Sequence, residues 1–389
     1  MVDSQHERIG VAILGSTGSI GRSTLSVIKR HSDIFRVVAL SANNSVEDLA
    51  RQTQEHSVPK AVVADSTALN DQKDLPDAEW KSGPDAILEV VSDPEVDVVV
   101  NAIVGSVGLA ATLASLEADK KLALANKESL VAGGPLVIEQ LRRGKGELIP
   151  IDSEHSGVFQ CLRGEELEAV SRLILTASGG PFRTLTEKDL KVVTLEEALI
   201  HPTWSMGQKV TIDSATLANK ALEIIEAHFL FDVDYEHISA VIHPQSIVHS
   251  FVEFVDGSIL AQLGFPTMEL PILYALTYPG RLSDPDLRTF DPSSSPSLDF
   301  ENIDEEQFPV FCLGVESGIR GGNAPTVFNA ANEIAVEAFV DRQIKFTEIS
   351  LIVEETLISS SMHELNTIDD VFEADRSARE LAKEVVELL

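Results

Sequence analysis

The stretch Ile9–Gly21, which reads IGVAILGSTGSIG, decides the fold of this chain. Ile9–Leu14 predicts a buried strand, and the helical pattern Ser19–His31 follows it after a short turn. The glycine spacing GxxGxxG allows the turn to approach a pyrophosphate, which the helix N-terminus then holds. A purely structural turn is the alternative. The strand–turn–helix context favours a dinucleotide site formed by Gly15, Ser16, Thr17, Gly18, Ser19 and Ile20.

Further βαβ units continue the pattern through residues 1–151. Nearly all-apolar runs predict buried parallel strands at Phe35–Ser41, Ala61–Ala64, Val96–Asn101 and Leu122–Ala125, with helical patterns between them. The fold class predicted is α/β, with an N-terminal doubly wound, Rossmann-like domain that binds a dinucleotide.

The pattern changes after this domain. Residues 152–278 predict a central α+β domain, in which Asp256-Gly257 marks a hairpin. The Gly-, Pro- and Thr-rich residues 178–208 are typical of a mobile lid, although a plain surface loop is an equal alternative. Residues 279–310 predict a linker, and 311–389 a small helical C-terminal domain.

The composition limits the possible partners. The chain has 389 residues, with 62 acidic against 30 basic side chains and a net charge of −32. Because this field repels nucleic acid and anionic membranes, neither is expected as a partner. Cys161 and Cys312 form no CxxC pair, and neither a signal peptide nor a membrane-spanning apolar run is visible. A soluble, cytoplasmic protein is predicted.

The end of the second predicted strand bears on the choice of cofactor. Ser41–Ser45 offers no Asp or Glu for the ribose hydroxyls of NAD, which favours NADP. It offers no Arg or Lys either, so the 2′-phosphate would rely on amide and hydroxyl donors, Asn43 and Asn44 among them. Lys127 lies at the carboxyl end of a predicted strand, where ligands bind in doubly wound folds.

Three carboxylates predict a metal site. Asp152 and Glu154 follow a predicted strand, and alternation would place both on one face. Glu223 lies on a helix that we expect to begin at Asp213 or Ser214 and to run to His228. Oxygen ligands favour a hard divalent cation such as Mg²⁺ or Mn²⁺. The alternatives are a solvated surface pair and a helix face carrying a Lys220–Glu223 ion pair.

Hydroxyl and amide groups predict an anion site as well. Ser178 lies in a Ser-Gly-Gly-Pro turn after a strand, and Ser214 and Lys220 lie near a helix start. His201, Trp204 and Met206 combine a titratable group with an aromatic ring and a thioether. A single histidine of this kind is more often structural than catalytic.

The motifs together resemble the 1-deoxy-D-xylulose 5-phosphate reductoisomerase family over nearly the whole chain. The motifs that carry this resemblance are Gly15–Gly21, 125–129, 152–155, 178–182, 201–207, 213–223, 243–246 and 329–333. The resemblance implies NADPH- and metal-dependent rearrangement and reduction of 1-deoxy-D-xylulose 5-phosphate to 2-C-methyl-D-erythritol 4-phosphate, for isoprenoid synthesis. It also implies that residues 1–151 bind NADPH and that the protein is a homodimer, in which the central domain of residues 152–278 is catalytic and dimerises.

The resemblance implies a role for each matching residue. The metal ligands for Mg²⁺, Mn²⁺ or Co²⁺ are Asp152, Glu154 and Glu223. The catalytic residues are Lys127, Glu154 and His201. The substrate contacts are Ser153, Ser178, His201, Trp204, Met206, Ser214, Asn219, Lys220 and His249. The cofactor contacts, besides the glycine-rich turn, are Asn43, Asn44, Asn126, Glu128 and Gly207.

One departure and two rival functions follow. Many family members carry Gly and a basic residue where this chain has Asn43 and Asn44, which weakens the expected preference for NADPH over NADH. One rival is an NADP-dependent dehydrogenase of the semialdehyde or homoserine type, without rearrangement. The other is a non-catalytic dinucleotide-sensing protein. Both account for the first 151 residues but not for the ordered motifs that follow.

Overall fold

The computed structural model describes residues 8–70, 72, 74–204, 206–295 and 297–389, and the backbone alone at Glu187. Residues 1–7 of the predicted NADPH-binding domain, Ser205 of the predicted lid and Pro296 of the predicted linker lie outside the described residues. The chain divides into two compact units. Unit 1 comprises Met1–Ser129, Val137–Asp152 and Thr267–Leu287, and unit 2 comprises Leu130–Leu136, Ser153–Pro266 and Arg288–Leu389.

The regular elements are as follows in chain order. The strands are β1 (Ile9–Leu14), β2 (Phe35–Ala42), β3 (Lys60–Val63), β4 (Glu79–Ser82), β5 (Val98–Asn101), β6 (Lys121–Leu124), β7 (Glu147–Pro150), β8 (Val170–Ala177), β9 (Ile238–Ile242), β10 (Val248–Phe254) and β11 (Ile259–Leu263). The first helices are α1 (Ser19–Arg30), α2 (Val46–His56), α3 (Pro84–Val91), α4 (Gly108–Glu117), α5 (Glu128–Arg143), α6 (Ser153–Cys161), α7 (Glu187–Leu190) and α8 (Leu195–Ala198). The remaining helices are α9 (Gln208–Thr216), α10 (Ala218–Phe231), α11 (Glu269–Thr277), α12 (Pro309–Arg320), α13 (Ala324–Val340), α14 (Glu348–Ser359) and α15 (Ile368–Leu388).

Unit 1 is built on a seven-stranded parallel sheet in the order β4-β3-β2-β1-β5-β6-β7. The chain adds β2, β3 and β4 on one side of β1 and then adds β5, β6 and β7 on the other side. The direction of strand addition therefore reverses between β1 and β5. Ligands of doubly wound sheets bind at the carboxyl ends of the strands at such a point. The predicted Rossmann-like architecture is confirmed, and its glycine-rich turn follows β1 at this reversal.

The strands of unit 1 form where the sequence predicts apolar runs. Val98–Asn101 is buried at every residue, and β1 is buried from Gly10 to Leu14. Helices cover both faces of such a sheet, so both sides of each central strand become apolar. The edge strand Glu79–Ser82 was missed in the sequence, because EWKS is polar and only partly buried.

Unit 2 contains a four-stranded mixed sheet in the order β11-β10-β8-β9. β8 pairs parallel with β9 and antiparallel with β10, and β10 and β11 form the hairpin that Asp256-Gly257 predicts. Four helices, α12 to α15, follow Pro309, as the helical pattern predicts. α13 is buried on nearly all sides and lies at the centre of the apolar core of this unit.

The predicted domain boundaries stay predictions. Residues 288–389 belong to the same compact unit as residues 153–266. Within the predicted lid, Phe182, Leu190 and Ala198 are buried in the core of unit 2. Among the described residues, no helix is both long and apolar enough to cross a membrane.

Candidate active site

The glycine-rich turn joins β1 to α1 in a conformation that requires glycine. Gly15 has a φ of 79°, and a Cβ atom there would lie 2.5 Å from the carbonyl oxygen of Ala102. A Cβ atom on Gly21 would lie 2.4 Å from the Cα atom of Ser16. Gly18 is the exposed N-cap of α1. The turn therefore brings the backbone close to neighbouring strands and leaves the positive end of α1 accessible to an anion.

The predicted cofactor residues of this turn differ in exposure. Ser16 is fully buried, and its Oγ atom donates a 2.7 Å hydrogen bond to Oε1 of Gln52. Ser19 is exposed, and Thr17 and Ile20 are half-buried. The Ser16 side chain therefore holds the turn against α2, while Ser19 carries an accessible hydroxyl at the first residue of α1.

Asn43 and Asn44 lie between β2 and α2 and are both exposed. The backbone oxygen of Asn43 accepts a hydrogen bond of 3.0 Å from the amide of Asp65. Both amide side chains stand at the carboxyl edge of the sheet, at the end of the strand next to β1. This is the position at which the sequence places a cofactor ribose.

Asn126, Lys127 and Glu128 follow β6. The Nδ2 atom of Asn126 donates to the carbonyl oxygens of Ile103 at 2.7 Å and Gly105 at 3.0 Å, which fixes the loop after β5. Glu128 is buried and accepts a hydrogen bond from the same amide. The Nζ atom of Lys127 lies 2.8 Å from Oδ2 of Asp152. These two residues meet because β6 and β7 are paired and end at the same edge.

The three predicted metal ligands are brought together. Asp152, Glu154 and Glu223 each offer a carboxylate oxygen, and these atoms all lie within 4.8 Å of one another. Glu223 is buried on α10, whereas Asp152 and Glu154 are half-buried. A tight group of carboxylates is costly unless cations balance it.

Lysines and amides supply that balance. The Nζ atom of Lys220 lies 3.0 Å from Oε1 of Glu154 and also contacts Oε2 of Glu223. Asn219 donates to Oε1 of Glu223, and Ser153 donates to Oε2 of Glu154 at 2.5 Å. The predicted Lys220–Glu223 pair is thus present, but it is buried within the carboxylate group rather than on a solvated face.

Two local predictions were wrong. Asp152 and Glu154 do not alternate along an extended chain, because Glu154 lies in the first turn of α6. No single helix runs from Asp213 to His228. α9 ends at Thr216, and α10 begins at Ala218 after Leu217, which has a φ of 57°. Thr216 therefore lies on a different helix from Asn219 and Glu223.

A buried histidine–carboxylate pair adjoins this group and was missed. The Nδ1 atom of His155 lies 3.1 Å from Oε2 of Glu226, and both residues are almost fully buried. Its Nε2 atom lies 2.8 Å from the carbonyl oxygen of Glu223. Asp152, His155 and Glu226 also have ligand atoms within 4.8 Å of one another. The Glu-x-x-Glu spacing at 223 and 226 on an apolar helix was the available signal.

His201 connects two of the predicted phosphate-binding serines. Its Nε2 atom lies 2.9 Å from Oγ of Ser178 and 3.0 Å from Oγ of Ser214. Its Nδ1 atom accepts hydrogen bonds from the backbone amides of Thr203 at 3.1 Å and Trp204 at 2.8 Å. Because Nδ1 accepts twice, the proton of the neutral ring lies on Nε2 and points at the serines. Burial lowers the pKa of His201 from 6.5 to about 4.

The turn that presents Ser178 requires its glycines. Gly179 and Gly180 have φ values of 82° and 65°, and a Cβ atom on Gly180 would lie 2.5 Å from the carbonyl oxygen of Ser214. The turn after β8 therefore packs directly on the backbone of α9. Ser178 and Ser214 lie near each other for this reason.

The remaining predicted substrate and cofactor residues occupy three places in unit 2. Trp204 and Met206 are half-buried in the segment before α9, and Gly207 is the exposed N-cap of that helix. His249 is buried on β10. A Cβ atom on Gly157 would lie 3.5 Å from Cβ of His249, so this histidine packs against the helix that carries Glu154.

Three family models match the chain in order. The model described as 1-deoxy-D-xylulose 5-phosphate reductoisomerase matches residues 11–134, the model of its C-terminal domain matches residues 148–231, and the model described as DXP reductoisomerase C-terminal domain matches residues 263–381. Two relatives named 1-deoxy-D-xylulose 5-phosphate reductoisomerase are similar along their whole length. The protein of Bacillus cereus (strain Q1) is 44% identical and that of Pelodictyon phaeoclathratiforme is 46% identical, and each alignment covers 97% of this chain and 99% of the relative.

Solved structures of proteins with the same name are also similar to this chain. The chain is similar to the 1-deoxy-D-xylulose 5-phosphate reductoisomerase of Zymomonas mobilis in complex with NADPH, with 44% identity and a TM-score of 0.91 over 98% of this chain and 100% of that one. A DOX-P reductoisomerase in complex with NADPH, fosmidomycin and magnesium is 39% identical, with a TM-score of 0.91 over 98% of each chain.

Proposed function

Because this chain belongs to the 1-deoxy-D-xylulose 5-phosphate reductoisomerase family, we propose that it rearranges and reduces 1-deoxy-D-xylulose 5-phosphate to 2-C-methyl-D-erythritol 4-phosphate, using NADPH and a divalent cation. The observation that carries the proposal is the group of Asp152, Glu154 and Glu223, three carboxylates whose oxygen atoms lie within 4.8 Å of one another.

The donor set of this group fits a hard divalent cation. All three ligand atoms are carboxylate oxygens, and the group already attracts the ammonium groups of Lys127 and Lys220. Mg²⁺ and Mn²⁺ prefer such ligands, and Co²⁺ accepts them. A bound cation would supply a Lewis acid and a template for the ketone and the neighbouring hydroxyl of the sugar phosphate.

The phosphate of the substrate would be held by the serine hydroxyls beside His201, together with Asn219 and Lys220. Ser178 and Ser214 present hydroxyl groups to the Nε2–H of His201, and an anion could take the place of one of these contacts. His201 stays neutral through the physiological range because its pKa is lowered to about 4. Holding the remote phosphate supplies binding energy that organises the reacting end of the sugar.

The lysines of the carboxylate group would act at the reacting end. Lys127, beside Asp152, would stabilise negative charge that develops on oxygen during the rearrangement. Lys220 and Asn219 would contact substrate hydroxyl and phosphate oxygens as well as Glu223. NADPH, held at the N-terminus of α1, would supply the hydride for the reduction. Both a retro-aldol/aldol sequence and a direct shift of the carbon skeleton satisfy this arrangement.

Closure would be confined to a short part of the predicted lid. Phe182, Leu190 and Ala198 are buried in the core and Leu199 packs against it, so we propose that the closing part of the lid is limited to the described residues around Trp204 and Met206. This segment carries Trp204 and Met206, which would cover the substrate and exclude water.

The direct test is NADPH oxidation with 1-deoxy-D-xylulose 5-phosphate, measured with Mn²⁺, with EDTA, and with EDTA followed by excess Mn²⁺. We expect turnover only when the free cation is present and a branched polyol phosphate as product. Cation-independent oxidation would favour a dehydrogenase without rearrangement. NADPH binding without any turnover would favour the dinucleotide-sensing protein.

We propose that the protein is a homodimer that associates through unit 2. β11 is an edge strand of the mixed sheet, and Ile259, Leu260 and Leu263 on it are exposed. An apolar edge strand is a ready site for pairing with a second copy. Leu260→Lys should shift the mass measured by light scattering toward the monomer, whereas a similar change at the exposed Val192 should not. The cytoplasmic location stays a prediction.

A further inference from the structure

Asp213 on α9 is an almost fully buried carboxylate that the proposed chemistry does not use. Its side chain is 1% exposed. Oδ2 lies 2.8 Å from the Nζ atom of Lys209, one turn earlier on the same helix. Oδ1 accepts a 2.7 Å hydrogen bond from Nδ2 of Asn332. A carboxylate at this depth depends on such donors, because an ionised group left short of hydrogen bonds is strongly destabilised.

Asn332 belongs to the motif Asn329–Glu333, to which the proposed function assigns no role. It is fully buried on α13, the central helix of the core of unit 2. α13 is itself fixed to a distant segment of unit 2, because Oγ1 of Thr326 donates to the carbonyl oxygen of Ala132 at 3.1 Å. Asn332 therefore offers a rigid donor to the short helix α9.

The residue after Asp213 is Ser214, whose hydroxyl faces Nε2 of His201 at 3.0 Å. α9 has nine residues, begins after the segment proposed to close and ends at Thr216, just before Leu217 in the left-handed region. A helix of this length between two irregular segments needs tertiary contacts to fix its rotation. A rotation that broke the Asp213–Asn332 bond would also turn Ser214 away from His201, because adjacent residues on a helix turn together.

We propose that Asn332 is a positioning residue for the anion site and that it acts through Asp213 to hold Ser214 against His201. The inference deepens the proposed function, since it assigns the motif on α13 to the binding of the substrate phosphate. It assigns no chemical step to Asn332, which contacts Asp213 rather than Ser214 or His201.

The test uses variants that break and then restore this hydrogen bond. Asn332→Leu removes the donor, and Asn332→Asp places a second carboxylate against Asp213. The exchange Asp213→Asn with Asn332→Asp restores one amide–carboxylate pair with its direction reversed. We expect the dissociation constant for inorganic phosphate and the KM for the sugar phosphate to rise about tenfold in Asn332→Leu and further in Asn332→Asp. The exchange should return both to within about threefold of the wild type, with kcat changing less than KM throughout.

Phosphate binding is read without turnover. The chain has two tryptophans. Trp80→Phe leaves Trp204, whose backbone amide donates to His201, as the single fluorescent reporter of the anion site. A wild type that binds phosphate in this assay but does not oxidise NADPH with the sugar phosphate would contradict the proposed function and leave the positioning test valid.

Asn329→Leu is the matched control. Asn329 is also fully buried on α13, one turn from Asn332, but its Nδ2 atom donates to Glu333 at 3.1 Å rather than to Asp213. We expect this variant to lose thermal stability with little change in phosphate affinity. Equal losses of phosphate affinity in Asn329→Leu and Asn332→Leu would overturn the inference. So would an exchange variant that binds phosphate as weakly as Asn332→Asp.

Discussion

The turn between β1 and α1 and the junction between α9 and α10 each contain a residue with positive φ, and they differ in how that residue is chosen. The turn after β1 uses Gly15, with a φ of 79°, whereas the junction between α9 and α10 uses Leu217, with a φ of 57°. Glycine adopts this region without penalty, while leucine does so at a cost. The first connection was therefore visible in the sequence and the second was not.

The junction has a consequence for the site. Leu217 separates α9, which carries Ser214 at the anion site, from α10, which carries Asn219, Lys220 and Glu223 at the carboxylate group. If α9 and α10 were one continuous helix, Ser214 and Lys220 would lie on successive turns of that helix. Strained residues of this kind persist where the surrounding structure fixes them, and often at functional sites. Leu217 is held by its buried side chain, which is 2% exposed.

The largest effect should follow from Glu223→Gln, which tests whether α10 supplies the third metal ligand. We expect turnover to fall by about 10²–10³-fold with NADPH affinity unchanged, because a neutral amide is a poor ligand for a hard cation. Steady-state rates across a Mn²⁺ titration, together with NADPH binding by fluorescence, would measure both effects.

Glu226→Gln is the matched control for that variant. Glu226 lies on the same helix and is equally buried, but it pairs with His155 and belongs to the alternative group of Asp152, His155 and Glu226. We expect its Mn²⁺ dependence to resemble that of the wild type. If Glu226→Gln lost its response to Mn²⁺ while Glu223→Gln kept it, the metal would belong to the histidine-containing group.

Lys220→Met tests the ionic balance on the α10 side of the junction. Removal of the ammonium leaves Glu223 buried and Glu154 half-buried without their shared cation. We expect the metal-free protein to lose about 3 kcal/mol of unfolding free energy, since breaking a buried ion pair leaves uncompensated charge. Mn²⁺ should restore much of this loss, so the rise in Tm on adding Mn²⁺ should exceed that of the wild type.

Lys209→Met separates this effect from the loss of any buried ion pair. Lys209 pairs with Asp213, which is 1% exposed, on α9 and outside the carboxylate group. This variant should also lose stability, but Mn²⁺ should raise its Tm only as much as that of the wild type. Equal responses of the two variants to Mn²⁺ would mean that Lys220 does not compete with a cation at the carboxylates.

Substitutions at Leu217 test the cost of the junction itself. Leu217→Ala and Leu217→Gly both remove the buried side chain, but only glycine relieves the positive φ. We expect the glycine variant to be more stable than the alanine variant by about 1 kcal/mol in denaturant unfolding. At Leu222, buried within α10, the order should reverse by a similar amount, because glycine is the poorer residue in a regular helix. If the alanine variant were more stable than the glycine variant at both positions, Leu217 would carry no strain.

The parts of the molecule that the sequence predicted share one property. The strands of unit 1, the turn at Gly15 and the hairpin at Asp256-Gly257 each depend on residues close together in the chain. The carboxylate group was predicted as a set of ligands, but its geometry was not. Glu154 lies on a helix because residues 153–161 pack against β10 and β11, and no local pattern indicated this. The pair of His155 and Glu226 was missed because its partners lie on different helices, far apart in the chain.

The smallest effect concerns the pH dependence of the anion site on the α9 side of the junction. Burial lowers the pKa of His201 to about 4, below its value of 6.5 in an unfolded chain, so the unfolded state binds the proton more readily. Stability contributed by the neutral ring is therefore fully present above pH 6.5 and is lost as the pH falls toward 4.

His201→Gln keeps an amide donor near the serines but does not titrate, so its unfolding free energy should fall less than that of the wild type over this range. Urea unfolding between pH 7.5 and 4.5 would measure the difference, with His237→Gln as an exposed control that should behave as the wild type. Parallel curves of unfolding free energy against pH for the wild type and His201→Gln would show that the ring is not held neutral between Ser178 and Ser214. The anion site would then resemble the ionic carboxylate group rather than contrast with it.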